Sequence, residues 1–470
     1  MSDFLVLKFF VFFVFFVIIN KIKRKGSKSM WNLHGKITAD EAEVMEFFGL
    51  KYPPMVKALD DTDLYKFSMG QTYHHQYGTA QTVWDSRSRN VGEGKDLPEK
   101  YTKEDREEIR NQLKAYCALV WEDDALPWLS KRCIWFKPDY INFLERWRPK
   151  YEDFEIHDDP VSGLRITVGD EVVSFQEYNT YYEIPVLEII TETYYRNHFD
   201  YDKLLKEAKE EHEKKIEAMK SGKYHLGTWS EFGARRRLSF EFQDYVVRRF
   251  VEEKIPGFIG TSNVYLARKY NVTPVGTCAH EFIELVGQGD LTKNLAYSNL
   301  FAMESWVKEY GVLNGIWLTD TIGDELCRRD MQLTYSILFG GVRNDSGDPY
   351  KWADNWIDHY QGLFDASNKR EYRVNPKNKT LLFSNNINSF EIWDGLTRYV
   401  EERANPAFGI GTWLSGPQTI PPINNVMKLV MVNGHHVAKK SDDPGKTMTR
   451  SPEYNDFVNR TCGWRITSGE

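Results

Sequence analysis

The chain has little cysteine and no spacing that would put it to use. Its five cysteines, Cys117, Cys133, Cys278, Cys327 and Cys462, form no CxxC pair and are odd in number. That pattern disfavours a disulfide scaffold or a thiolate zinc site and suits a reducing compartment, the cytoplasm. A basic excess is missing too: 61 lysines and arginines face 68 aspartates and glutamates, for a formal charge of -7. General nucleic-acid binding, which runs on phosphate neutralisation, is therefore disfavoured. GxxxxGK(S/T), HExxH and GxSxG are all absent, so P-loop ATPase, zinc protease and α/β-hydrolase readings have no support.

A long apolar run occurs once, at the start, in MSDFLVLKFFVFFVFFVIINKIKRK. Its uninterrupted part, Phe9 to Ile19, is shorter than the roughly 20 apolar residues of a spanning helix, and no small-residue cleavage site follows. Phe, Ile, Asn and Lys have AT-rich codons. Residues 1–29 therefore read as upstream DNA translated in frame, with Met30 the true start, in preference to a membrane anchor. The whole chain, 470 residues with 41% apolar side chains, exceeds one ordinary core.

What is present is a rhythm. ALDDTDLYKFSMGQTYHHQY at 58–77 reads as a helix capped by Asp63, with Tyr65, Met69 and Tyr73 at helical spacing. Segments 103–122 and 138–148 also look helical, 164–175 has strand character, and Pro185 suits the first turn of a helix over 183–196. The charged run 203–223 reads as a solvated helix that separates two regions. After residue 224, short apolar runs repeatedly end in small and polar residues and lead into helices, as in TWSEFGARRRLS, FIGTSN, VTPVGTCAHEF, GIWLTDTIGDEL, ILFGGVRNDSGDP, TLLFSNNINSF and FGIGTWLSG. Alternating strands and helices imply a parallel sheet, and polar clusters at strand C-terminal ends imply a barrel-like site. The expected fold is α/β, an irregular (β/α) barrel-like domain over 224–425 with an additional N-terminal α/β domain over 30–223. Residues 426–470 supply C-terminal strands and a tail that pack back on the fold.

The groups at those ends are Arg235, Arg236, Arg237, His280, Asp320, Arg343, Asp345 and Asp348, with glycines at 260, 276, 340, 341, 409 and 411. Arginines with exposed backbone N–H groups make an anion site, most naturally for phosphate. Carboxylates beside it require a divalent cation or sugar hydroxyls between, so the pattern suggests a sugar phosphate held with Mg²⁺. Ahead of GVRNDSGDP, 341–349, the apolar run Ser336 to Phe339 is the expected strand, and GVRNDSGDP is its C-terminal loop.

Taken together, the strings DTDLYK, EIPVL, FGARRRLS, GTSN, GTCAHE, LTD, RNDSGDP, FGIGT and KLVMVNG followed by KKSDDPGKTM resemble the nicotinate phosphoribosyltransferases, in order, from about Leu59 to Thr447. The resemblance implies transfer of the ribose 5-phosphate of PRPP to nicotinate, giving nicotinate mononucleotide and pyrophosphate with coupled ATP hydrolysis and Mg²⁺. It also implies a homodimer in which Tyr65 crosses from the partner subunit to face Phe232 across a pyridine ring. By matching position, Arg235 and its neighbours would bind anions and His280 would be phosphorylated. Asp320, Arg343 and Asp345 would surround PRPP, while Gly409, Gly411 and Thr412 would belong to the phosphate cradle. Ser262 stands where nicotinamide-using relatives carry Asp, which with Arg235 favours nicotinate in a pocket free of facing carboxylates.

Three positions depart from the family pattern. Asn385 replaces an aspartate expected at the ribose, Ala234 replaces a threonine, and Trp413 is bulky for a phosphate loop. These departures keep open an impaired PRPP- or nucleotide-binding homologue and a nicotinamide-using enzyme. An Mg²⁺-dependent sugar-phosphate lyase or isomerase fits the strand ends but does not explain DTDLYK or the triple arginine.

Overall fold

The structure, a computed structural model, describes residues 40–440 and 449–463. The leader 1–29 and most of the 439–448 motif lie outside the described residues. Among the described residues no helix is long and apolar enough to cross a membrane.

Three strands come first: β1 (Thr82–Ser88), β2 (Phe154–His157) and β3 (Arg165–Val168). Seven follow in alternation with helices: β4 (Thr228–Glu231), β5 (Phe258–Thr261), β6 (Thr273–Pro274), β7 (Ile316–Leu318), β8 (Gly341–Asn344), β9 (Thr380–Phe383) and β10 (Asn405–Ile410). Last come β11 (Asn425–Val432) and β12 (His435–His436). β4 to β10 form one parallel sheet in the order β6-β5-β4-β10-β9-β8-β7. The sheet curls into a half-barrel and stays open, since β6 and β7 are its edges. The remaining strands make an antiparallel sheet, β12-β11-β1-β3-β2, in which β11 pairs along the whole of β1. The α/β, barrel-like expectation is met, and both ends of the chain contribute to the second sheet.

Trp229, Trp317, Val342, Leu381, Phe383 and Phe408 on the parallel strands are buried, as strands covered by helices require. Trp229 packs edge-on against Phe250 and Trp393 from two of those helices. Two local expectations need correction. Ser336 to Phe339 closes the helix Leu333–Leu338, and the strand is GVRN itself, Gly341–Asn344. A short apolar run does not distinguish buried helix from strand by periodicity alone. The charged run forms a helix, Tyr201–Lys220, but Leu204, Leu205, Ala208, His212, Ile216 and Met219 bury one face of it. Its i, i+4 charges occupy only the other face.

The two regions meet through a fully buried arginine. Arg237 forms a bidentate pair with Asp61 at 2.8 and 3.1 Å and donates to Gln243 and to the Met55 carbonyl. Glu188 lies 3.0 Å away. Arg237 is thus structural, a correction to its place among the anion-binding arginines. Breaking such a pair from one side leaves buried carboxylates without their counter-ion, which costs about 3–5 kcal/mol. Arg237→Met is expected to lower unfolding stability by that amount in urea titrations; a change below about 1 kcal/mol would show that the junction tolerates the loss.

Candidate active site

Parallel pairing places every strand's C-terminal end on one edge of the half-barrel, and a cavity of about 920 Å³ opens there. Phe232, Arg235 and Arg236 follow β4, and Ser262 follows β5. Gly276 and His280 follow β6, Asp345 follows β8, Asn385 follows β9, and Gly411 and Thr412 follow β10. Arg343 lies within β8 and Gly409 within β10, and both line the cavity. Asp320, after β7, sits just behind the lining, 3.7 Å from His280. The expected site residues are therefore brought together. Gly260 and Gly341 are not among them: a Cβ on either would strike the neighbouring strand's carbonyl, at 1.9 and 2.1 Å. They serve strand packing.

Tyr65 lines the cavity of its own chain. Residues 60–64 run along the end of β5, where Leu64 N–H donates to the Ser262 carbonyl, Val264 N–H to Thr62 and Tyr265 N–H to Asp60, at 2.8, 2.9 and 2.8 Å. Asn263 adds a side-chain bond to Asp61 at 2.7 Å. Gly276 permits this close approach, since a Cβ there would lie 2.8 Å from the Tyr65 nitrogen. Asp63 also lines the cavity, and its carboxylate accepts from the Ser262 hydroxyl at 2.6 Å. The pocket therefore does contain a carboxylate beside Ser262, contrary to expectation. Asp63 occupies the N-cap of the helix Leu64–Gln76, but its side chain does not cap it.

One end of the cavity is strongly cationic. Arg89, from the loop after β1, joins Arg235 and Arg236, and Lys428 arrives from β11, whereas Lys439 from the C-terminal segment lies 3.9 and 3.7 Å from Asp320 and Asp345. Burial first, then the neighbouring Arg235 and Arg89, push Arg236 down to about 10. Like charges held this close are relieved by a bound polyanion. Arg89, Lys428 and Lys439 were not singled out in the sequence, because each comes from an antiparallel or C-terminal segment whose approach only the fold reveals. The KLVMVNG and KKSDDPGKTM strings contained the two lysines without showing their direction.

At the other end, His280, Asp320 and Asp345 present ligand atoms within 4.8 Å of one another. His280 Nε2 lies 3.1 Å from Asp345 and Nδ1 lies 3.0 Å from the Thr321 hydroxyl. Burial, with Lys439 nearby, pushes His280 down to about 4, so the ring is neutral near pH 7. Burial opposes charge on Asp345, yet the His280 hydrogen bond, Lys439 and Arg343 hold its carboxyl well below the usual range. Ser346 donates to Asp320 at 2.5 Å.

Beneath the cavity, Glu231 at the end of β4 accepts from Gly233 N–H, Thr261 Oγ1, Ser415 Oγ and Gln243 Nε2, at 2.6, 2.6, 2.6 and 3.0 Å. It ties the loops after β4, β5 and β10 to one carboxylate. Asn385 donates to the Gly347 carbonyl at 3.3 Å, a bond an aspartate could not make. Trp413 packs edge-on against Phe390, with the Lys215 ammonium 4.6 Å from its ring. Ala234 is buried in a 3-10 turn, where the structure offers no reason for the missing threonine hydroxyl.

A parallel α/β half-barrel whose strand ends gather guanidinium groups, backbone glycines, paired carboxylates and two aromatic rings around one cavity defines an enzyme built for an aromatic ring and a phosphorylated sugar. The chain belongs to the nicotinate phosphoribosyltransferase family: the model described as the Nicotinate phosphoribosyltransferase (NAPRTase) family matches residues 228–462, and its N-terminal domain model matches 61–191. The nicotinate phosphoribosyltransferase of Acinetobacter baylyi is 36% identical over 417 residues, covering 87% of this chain and 97% of its own. That of Neisseria gonorrhoeae is 35% identical over 416 residues, with 87% and 98% covered. Crystal structures of nicotinate phosphoribosyltransferases from Vibrio cholerae and Porphyromonas gingivalis superpose with TM-scores of 0.76 and 0.74, at 26% and 28% identity. The first covers 89% of this chain and 96% of its own, the second 87% and 100%.

A Cβ at Gly409 would lie 2.4 Å from the Phe232 ring. Gly409→Ala is therefore expected to displace that ring and weaken nicotinate binding about tenfold, the worth of one good aromatic contact. Titration calorimetry checks this, and unchanged affinity would show that Phe232 does not touch the ligand.

Proposed function

We propose that this chain transfers the ribose 5-phosphate of PRPP to nicotinate, releasing pyrophosphate, with ATP as co-substrate and in the salvage of NAD. The observation that carries the reading is the convergence, in one chain, of Tyr65 and Phe232 with the Arg235, Arg343, Asp345 and Gly409–Gly411 groups around a single cavity. Tyr65 and Phe232 would bracket the pyridine ring, and Arg235 would face its carboxylate. The Gly409–Gly411 backbone and Thr412 would cradle the 5-phosphate, and Arg89, Arg236 and Lys428 would take the pyrophosphate.

As pyrophosphate leaves C1 of the ribose, positive charge develops on the sugar, and a fixed carboxylate such as Asp345 stabilises it. At 4 Å and an effective dielectric near 20, one such charge contributes roughly 4 kcal/mol, about a thousandfold in rate. Asp320 and Asp345 supply the hard oxygen donors that Mg²⁺ prefers, and they fit it together with substrate phosphates. Such an ion would neutralise the pyrophosphate's charge. His280, neutral near pH 7, would take the terminal phosphoryl group of ATP on a ring nitrogen freed from its present contact, releasing ADP, which would change the charge beside the ribose site and so link ATP to turnover. The free cysteines suit the cytoplasm.

Purified protein given PRPP and Mg²⁺ is expected to form mononucleotide and pyrophosphate with nicotinate and far less with nicotinamide, and ATP should raise the yield. His280→Ala is expected to keep the ATP-independent rate within about tenfold while losing the ATP stimulation. No pyrophosphate with either base from folded protein would favour the impaired homologue instead.

A further inference from the structure

The cavity wall that carries Ser262 also carries a carboxylate with no role in the reaction described above. Asp63 holds an N-cap position, where an aspartate that caps contributes about 1 kcal/mol, yet its side chain accepts nothing from the helix's first turn. The carboxylate is aimed at Ser262 Oγ, 2.6 Å away. The Ser262 backbone is fixed beside it, since its N–H donates to the Glu231 carbonyl at 2.9 Å and its own carbonyl accepts from Leu64 N–H at 2.8 Å. Both residues line the cavity alongside Tyr65, Phe232 and Arg235.

We propose that Asp63 and Ser262 form a proton-linked reader of the base, in which Asp63 takes up one proton when an anionic pyridine carboxylate binds. The inference rests on the nicotinate reading of this pocket. With Asp63 ionised, the Ser262 hydrogen is committed to it, and an incoming carboxylate meets negative charge and one donor fewer. With a proton from solvent on Asp63, the acid O–H donates to Ser262 Oγ and the serine hydrogen turns to the ligand's carboxylate. No bond in the ligand changes. A neutral carboxamide meets the reverse arrangement, since ionised Asp63 accepts its N–H.

The surroundings make the switch easy. Burial pushes Asp63 up to about 6, Arg235 and the Ser262 bond draw it down, and Glu231 after β4 and Glu183 on the helix Glu183–His198 draw it up. Glu188 on that helix and Tyr65 on Asp63's own helix face it as well. Protonation near neutrality therefore takes little free energy, and a bound anion raises the value further. Nicotinate affinity should then fall as pH rises above about 6, by as much as tenfold per unit while the bound form keeps its proton, and level off once the bound form also titrates.

Calorimetry of nicotinate binding near pH 7.5, in buffers of different ionisation enthalpy, tests the reader. The wild-type chain is expected to take up close to one proton per nicotinate. Asp63→Asn, whose amide can donate permanently to Ser262, should take up almost none and bind nicotinate with little pH dependence. Ser262→Ala should weaken nicotinate about tenfold, the loss of one hydrogen bond to a charged group. Uptake near zero in a wild-type chain that still forms nicotinate mononucleotide overturns the reader alone. Uptake that persists in Asp63→Asn assigns the proton elsewhere and also overturns it. A wild-type chain that neither binds nor turns over nicotinate overturns the reader together with the reading beneath it.

Discussion

The buried ion pair between Asp61 and Arg237 is the constraint on which the site depends. Arg237 belongs to the turn after β4, and Asp61 to the segment that leads into the helix Leu64–Gln76. Locking them together fixes the residues between Asp61 and Lys66 against the ends of β4 and β5, and through them Asp63 and Tyr65. An ion pair taken out of water repays its desolvation only when the remaining polar atoms are also satisfied, and Gln243 and the Met55 carbonyl do part of that here. The pair adds little net stability by this argument and much positional definition.

The motif DTDLYK divides its labour by position. Asp61 and Lys66 hold the segment in place, the latter buried 2.6 Å from Glu183 and bonded also to Glu281. Asp63 and Tyr65 face the cavity. Glu183 continues the chain of charges to Lys428, 3.1 Å away on β11. The ligand-facing and load-carrying charges thus form one connected network, in which the cationic end of the cavity is anchored by carboxylates set behind it. This arrangement lets several cations stand close together in the absence of a polyanion.

Much of the candidate site was legible because a parallel sheet converts sequence order into spatial convergence. Once the apolar runs after residue 224 are read as parallel strands, the polar residues that follow each run must share an edge, and Phe232, Ser262, His280, Asp345, Asn385 and Gly411 do. Errors arose where side-chain direction or chain path decides. Arg235, Arg236 and Arg237 are adjacent in sequence, yet the 3-10 turn sends two toward the cavity and one into the core. Gly260, Gly341 and Gly409 look alike in sequence, but two touch neighbouring strands and one touches Phe232.

The sequence by itself determined the α/β class, the family resemblance and the residue types available for chemistry, because hydrophobic period and motif order are local properties. Tertiary structure alone decided that Tyr65 lines its own chain's cavity, that Arg89 and Lys428 join Arg235 and Arg236 while Lys439 meets Asp320 and Asp345, and that Asp63 sits beside Ser262. Those pairings span 199 residues in the case of Asp63 and Ser262, and no local pattern encodes a contact between a helix N-cap and a strand-end loop so far apart in the chain. They follow from the buried pair at Arg237 and from the antiparallel match of β1 with β11, which carry the segments around Asp61, β1 and β11 to the mouth of the half-barrel.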